Sequence, residues 1–143
     1  MAMLSSQNAA PRGSETVLFM DADPEIRKLG AFMLGKQGYT VLEARNHVEA
    51  VSLFKRRSEE VELLLLEAKG RGRVLAQELL QDHPQTVALL LTRELPRAHH
   101  ADVDEPFPLL QKPFTMHDIA TKVREVLDAR DKKTMTAGNI YSF

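Results

Sequence analysis

The chain has 143 residues, 43% of them hydrophobic and 27% charged, which suits one compact domain with short tails rather than two domains or a disordered chain. Nineteen Lys and Arg against twenty Asp and Glu leave a formal charge of −1, so there is no global basic field to hold nucleic acid. Cysteine is absent, which excludes disulfides, thiolate metal sites and a cysteine nucleophile; no apolar run approaches the ~20 residues of a membrane-spanning helix. The opening MAMLSSQNAAPRGSE lacks the apolar centre of a secretory signal, so the expected compartment is the cytoplasm.

Residues 1–14 mix small and polar side chains without periodicity and read as a disordered arm. From Thr16 onward, short apolar runs of strand length alternate with longer stretches of helical spacing, the pattern of an α/β domain around a parallel sheet. Strands are predicted over 16–20, 40–43, 61–66, 86–91 and 107–110; three are nearly all apolar, as strands buried on both faces are. Asp23 and Pro24 start the first helix, with Ile26, Leu29, Phe32 and Met33 as its buried stripe and Gly35 or Gly38 at its end. A second helix over 46–57 turns Ala50, Val51 and Phe54 inward, and a third over 74–81 stops before His83-Pro84. Between Pro96 and Pro106 a polar segment leaves room for a short helix only. Thr115 with Asp118 three residues on makes a capping-box-like start for the last helix, whose buried face is Ile119, Val123, Val126 and Leu127 and whose end falls near Arg130. The domain is thus expected over 15–130 with a C-terminal tail over 131–143, and neither tail is long enough for a DNA-binding or enzymatic output domain.

In a parallel α/β sheet, functional groups gather beyond the carboxyl ends of the strands. Those ends carry Asp21 and Asp23 after the first strand, Glu67 after the third, Thr92 after the fourth and Lys112 after the fifth. Such a set suits a hard divalent cation and an anionic phosphoryl group: carboxylates hold Mg²⁺, while Thr and Lys hydrogen-bond and neutralise the phosphoryl oxygens. Each residue also has a plainer reading: Asp23 as a helix cap, Asp21 and Thr92 as polar strand ends, Glu67 as a partner for Lys112 or a loop arginine. His47, His83, His99, His100 and His117 lack metal-ligand spacing.

Five segments, VLFMDADPEIR, KQGYTVLEA, VELLLLE, LLLT and LLQKPF, resemble a response-regulator receiver domain, and the resemblance covers about 15–129. It implies a flavodoxin-like, doubly wound five-stranded parallel sheet flanked by five helices, the fourth short here. It further implies a phosphoryl switch, in which an aspartate ending strand three takes phosphate from a histidine kinase while an acidic pair after strand one holds Mg²⁺. A cis peptide before Pro113 belongs to the same pattern. The sequence departs from that pattern at the reaction centre. Glu67 stands at the phosphoacceptor position, where its extra methylene alters the distance for in-line attack. Ala22 takes the second place of the acidic pair, which leaves Asp21, Asp23 and Glu67 as the Mg²⁺ carboxylates beside the retained Thr92 and Lys112. The loop over 68–73 adds Lys69, Arg71 and Arg73 and lacks the family's proline; Leu109 stands at the aromatic switch position, with Phe107 two residues earlier.

The expectation is therefore a pseudo-receiver of a two-component phosphorelay system. It is not an enzyme, and it works by contact with a histidine kinase, another signalling protein or a second copy, with neither nucleic acid nor membrane as partner. The alternative is an active phosphoacceptor that uses Glu67 or a neighbouring carboxylate with Mg²⁺. A small-molecule-binding flavodoxin-like protein is disfavoured, because Asp21-Ala22-Asp23-Pro24 puts negative charge where a phosphate loop would stand.

Overall fold

A computed structural model describes residues 9–94 and 106–141, with side chains through Asp131. The apolar runs form β1 (Thr16–Met20), β2 (Thr40–Ala44), β3 (Val61–Glu67), β4 (Val87–Thr92) and β5 (Leu109–Gln111). Among the described residues the helices are α1 (Pro24–Lys36), α2 (His47–Arg57), α3 (Gly72–Leu80) and α4 (Met116–Tyr141). The strands join in one parallel sheet, ordered β2-β1-β3-β4-β5. This is the expected flavodoxin-like architecture. The short helix expected between Pro96 and Pro106, with His99 and His100, lies outside the described residues.

Alternation along each strand feeds two cores. Val17, Phe19, Leu63 and Leu65 meet Leu34 of α1 and Ile119, Val123 and Leu127 of α4 on one face of the sheet. Leu18, Met20, Leu64 and Leu66 meet Ala50 and Phe54 of α2 and Leu75 and Ala76 of α3 on the other. A strand covered on both sides has no polar face to present, which accounts for the leucine run of β3.

The helix starts follow their capping residues. Asp23 accepts the Glu25 N–H at 2.9 Å, Asn46 accepts the Glu49 N–H at 2.9 Å, and Thr115 and Asp118 exchange bonds of 2.9 and 3.0 Å. The buried face of α1 differs from the expected stripe. Arg27, Gly30 and Leu34 are buried with Ile26 and Met33 beside them, whereas Leu29 and Phe32 are 46% and 59% exposed. Gly30 sets this rotation: a Cβ there would come within 2.2 Å of the Phe19 ring, so the helix lies against β1 along its 27-30-34 line.

Both ends of the domain also differ from expectation. The helix expected to end near Arg130 runs on to Tyr141, since nothing between Arg130 and Gly138 breaks it. At the other end, Gly13 falls within the stretch expected to be a disordered arm. Its N–H donates to the Gln37 carbonyl at 2.9 Å, and a Cβ would strike the Tyr39 ring at 2.3 Å. The chain is therefore docked before Glu15. None of the described helices is long and apolar enough to cross a membrane.

Candidate functional site

Strand register builds the site. Met20 of β1 pairs with Leu66 of β3, so Asp21 and Glu67 follow side by side at adjacent carboxyl ends, where the sheet order switches direction. Thr92 of β4 pairs with Gln111 of β5, and the next residue, Lys112, donates its N–H to the Thr92 carbonyl at 2.8 Å. The Lys112–Pro113 peptide is cis, as the resemblance implies.

The Lys112 ammonium lies 2.9 Å from Asp21 Oδ2 and 3.6 Å from Glu67 Oε2. Asp21 is fully buried, Lys112 nearly so, and Glu67 partly. Charges this far from water persist only when paired and hydrogen-bonded. The remaining oxygens have partners as well: Asp21 Oδ1 accepts the Asp23 N–H at 2.9 Å, and Glu67 Oε1 accepts the Ala22 N–H at 3.1 Å. Behind them the buried Arg27 donates Nη1 to the Asp21 carbonyl at 2.8 Å and Nε to Glu43 at 3.3 Å.

The turn after β3 is tight. A Cβ on Gly72 would lie 2.0 Å from the Glu67 carbonyl oxygen, so α3 can start hard against the strand end only with glycine there. Beside Glu67 a cavity of about 320 Å³ is lined by Ala68, Lys69, Arg73, Thr92, Arg93 and Lys112 among others.

Of the residues expected at the site, the structure brings Asp21, Glu67 and Lys112 into contact. Asp23 and Thr92 stand on the rim with local partners. Asp23 caps α1, with Arg93 3.9 Å away, and the Thr92 hydroxyl donates to the Glu94 carbonyl at 2.9 Å within its own turn. Leu109 and Phe107 both lie against the cluster that holds Leu64 and Leu66. Arg27 and Gly72 did not stand out in the sequence. Arg27 could have been found by its place three residues before Gly30 and seven before Leu34 on one helical face, and Gly72 by the Gly-Arg-Gly break after an acidic strand end.

The receiver resemblance implies Mg²⁺, which requires a near-octahedral shell of oxygens. The residues present do not fit it. Ala22 offers no side-chain oxygen, Asp23 is committed to its helix, and the Lys112 ammonium stands between the two remaining carboxylates. Among the described residues, no cluster of three His, Asp or Glu could hold a metal.

An open parallel sheet in this order, with carboxylates and a lysine at its switch point, has the layout of a CheY-like receiver domain. The chain is similar to the sensor kinase CckA of Brucella abortus, with 32% identity over 124 residues that cover 83% of this chain and 13% of the kinase. It is also similar to the transcriptional regulatory protein CpxR of Klebsiella pneumoniae, with 30% identity over 116 residues, 78% of this chain and 48% of the regulator. The chemotaxis protein CheY4 of Vibrio cholerae shares the fold at a TM-score of 0.69 and 20% identity, over 80% of this chain and all of that one. No protein-family model matches the chain. The chain spans less than half the length of these two curated relatives. Together the similarities support a response-regulator receiver domain.

Proposed function

We propose that this domain is a receiver-like signalling module of a two-component system that acts without standard aspartyl phosphorylation, through contact with another protein. The observation that carries this reading is the engagement of Glu67. Its two oxygens are held by the Ala22 N–H at 3.1 Å and the Lys112 ammonium at 3.6 Å. In-line attack on a phosphoryl donor would have to free one of these oxygens from its contact, on a carboxylate one methylene longer than aspartate. The partner is a histidine kinase, another signalling protein or a second copy. The exposed Leu29 and Phe32 of α1 offer an apolar contact face, while a net charge of −1 favours neither nucleic acid nor an anionic membrane. The compartment is the cytoplasm, and the domain turns over no substrate.

Intact-mass measurement after incubation with acetyl phosphate and Mg²⁺ tests the reading. The chain is expected to keep its unmodified mass, and a stoichiometric acyl phosphate on Glu67 would overturn the proposal. A second reading, an active phosphoacceptor, is favoured by Thr92 and Lys112 standing at the strand ends beside Glu67. It requires Mg²⁺ binding that Asp21→Ala abolishes, which calorimetry reads directly.

A further inference from the structure

Every carboxylate oxygen of the Asp21–Glu67 pair faces a nitrogen. Asp21 Oδ1 has the Asp23 N–H and Glu67 Oε1 the Ala22 N–H, while Asp21 Oδ2 and Glu67 Oε2 share the Lys112 ammonium. The two shared oxygens are the ones that converge on a single point, and the ammonium nitrogen occupies it. A Mg²⁺ ion would need those same oxygens at ~2.0–2.1 Å, where the ammonium hydrogens now lie. The lysine is held in place: its side chain is 3% exposed, and its backbone N–H is tied to β4 through the Thr92 carbonyl. The Ala22 and Asp23 N–H groups turn further positive charge toward the pair.

We propose that the Lys112 ammonium is a tethered replacement for a divalent cation. Asp21 and Glu67 form a latent divalent-cation site that Lys112 keeps closed, so the conformation of the domain is independent of Mg²⁺. Loss of the ammonium leaves two carboxylates, one fully buried, without the countercharge they share, and a hard divalent ion is the kind of charge that would replace it. The inference rests on reading this cluster as the receiver's reaction site.

Thermal unfolding of the intact chain and of Lys112→Ala, each with EDTA or with millimolar MgCl₂, provides the test. The native chain is expected to melt at one temperature in both buffers. Lys112→Ala is expected to melt lower in EDTA and to recover saturably with Mg²⁺, by about 5 °C at roughly ten times the Kd. Adding Asp21→Asn to that variant is expected to abolish the recovery. A native chain stabilised by Mg²⁺, or a folded Lys112→Ala indifferent to it, overturns the proposal. Should Lys112→Ala fail to fold, Lys112→Gln, one atom shorter than lysine, keeps an N–H donor without the charge and is expected to show the same recovery; its indifference to Mg²⁺ equally overturns the proposal. The native chain also serves alone: with Mn²⁺ present, the Ala22, Asp23 and Glu67 amide resonances are expected to keep their intensity, and selective broadening there overturns the proposal. The phosphorylation assay separates the two readings. An unphosphorylated chain that binds Mg²⁺ overturns this inference alone, and a phosphorylated chain whose melting ignores Mg²⁺ overturns the functional reading alone.

Discussion

β1 begins and ends at an ionic cluster, and the two clusters are built differently. At its carboxyl end, Asp21 and Lys112, 91 residues apart, are sealed from water with Glu67 beside them. At its amino end, Glu15 and Arg124, 109 residues apart, make a bidentate pair of 2.7 and 3.1 Å with the guanidinium partly open to solvent. That guanidinium also reaches Tyr39, the Arg12 carbonyl and Asp128. The comparison teaches that similar pairing chemistry has different consequences at different depths. The sealed cluster is costly to break and fixes which groups face each other. The open one acts as a latch for the incoming chain, with a strength set by pH and salt.

The largest effect is expected from Lys112→Ala in metal-free buffer. Removing one partner of a buried pair strands the other charge and costs about 3–5 kcal/mol, read by urea unfolding. Gly72→Ala follows at about 1–3 kcal/mol, because its Cβ would press on the Glu67 carbonyl and force the strand end or α3 to shift. Its effect is expected to be non-additive with Glu67→Gln, since both act on one residue, and additive costs would separate the turn from the cluster.

At the open end the Arg124 guanidinium holds the Glu15 carboxyl down to about 2, from an ordinary value of 4.5. Because the folded value is the lower, this contribution is present above pH ~4.5 and disappears as pH falls toward ~2. Screening by solvent limits it to on the order of 1–2 kcal/mol. Arg124→Ala is expected to lower stability at neutral pH by that amount and to flatten the acid limb of the stability curve over that window. An unchanged acid limb would show that the latch does not govern it. The smallest effect belongs to Phe32→Ser, expected within about 0.5 kcal/mol on stability because the ring already faces solvent. Its consequence is expected instead as weakened capture of a partner by the α1 face, read by pull-down with the intact chain.

Much of this is legible in the sequence. The strands announced themselves as short apolar runs, and the residues just after them are the ones that line the sheet edge. The pairing of Glu67 with Lys112 was among the readings its charge allowed. What stayed hidden depends on contacts between distant segments. Nothing local says that Gly30 lies on the Phe19 ring, yet that contact turns Leu29 and Phe32 outward and Arg27 inward. A composition that reads as disorder does not show that Gly13 fits under Tyr39. The departure of Thr92 and Asp23 from the shared cluster is likewise a choice between partners. Each group had two hydrogen-bonding options, and the turn or the helix cap was the nearer one.

Arg27 gives the first helix a mechanical role. Its guanidinium grips the backbone carbonyl of Asp21 and the side chain of Glu43 on β2, while Leu29 and Phe32, two and five residues further along, face outward. A load applied to that outward face reaches the residue that anchors the lysine through this side chain and through the Asp23 cap, whose N–H is held by the Asp21 carboxylate. The outer surface and the sealed interior thus share one helix as their connection.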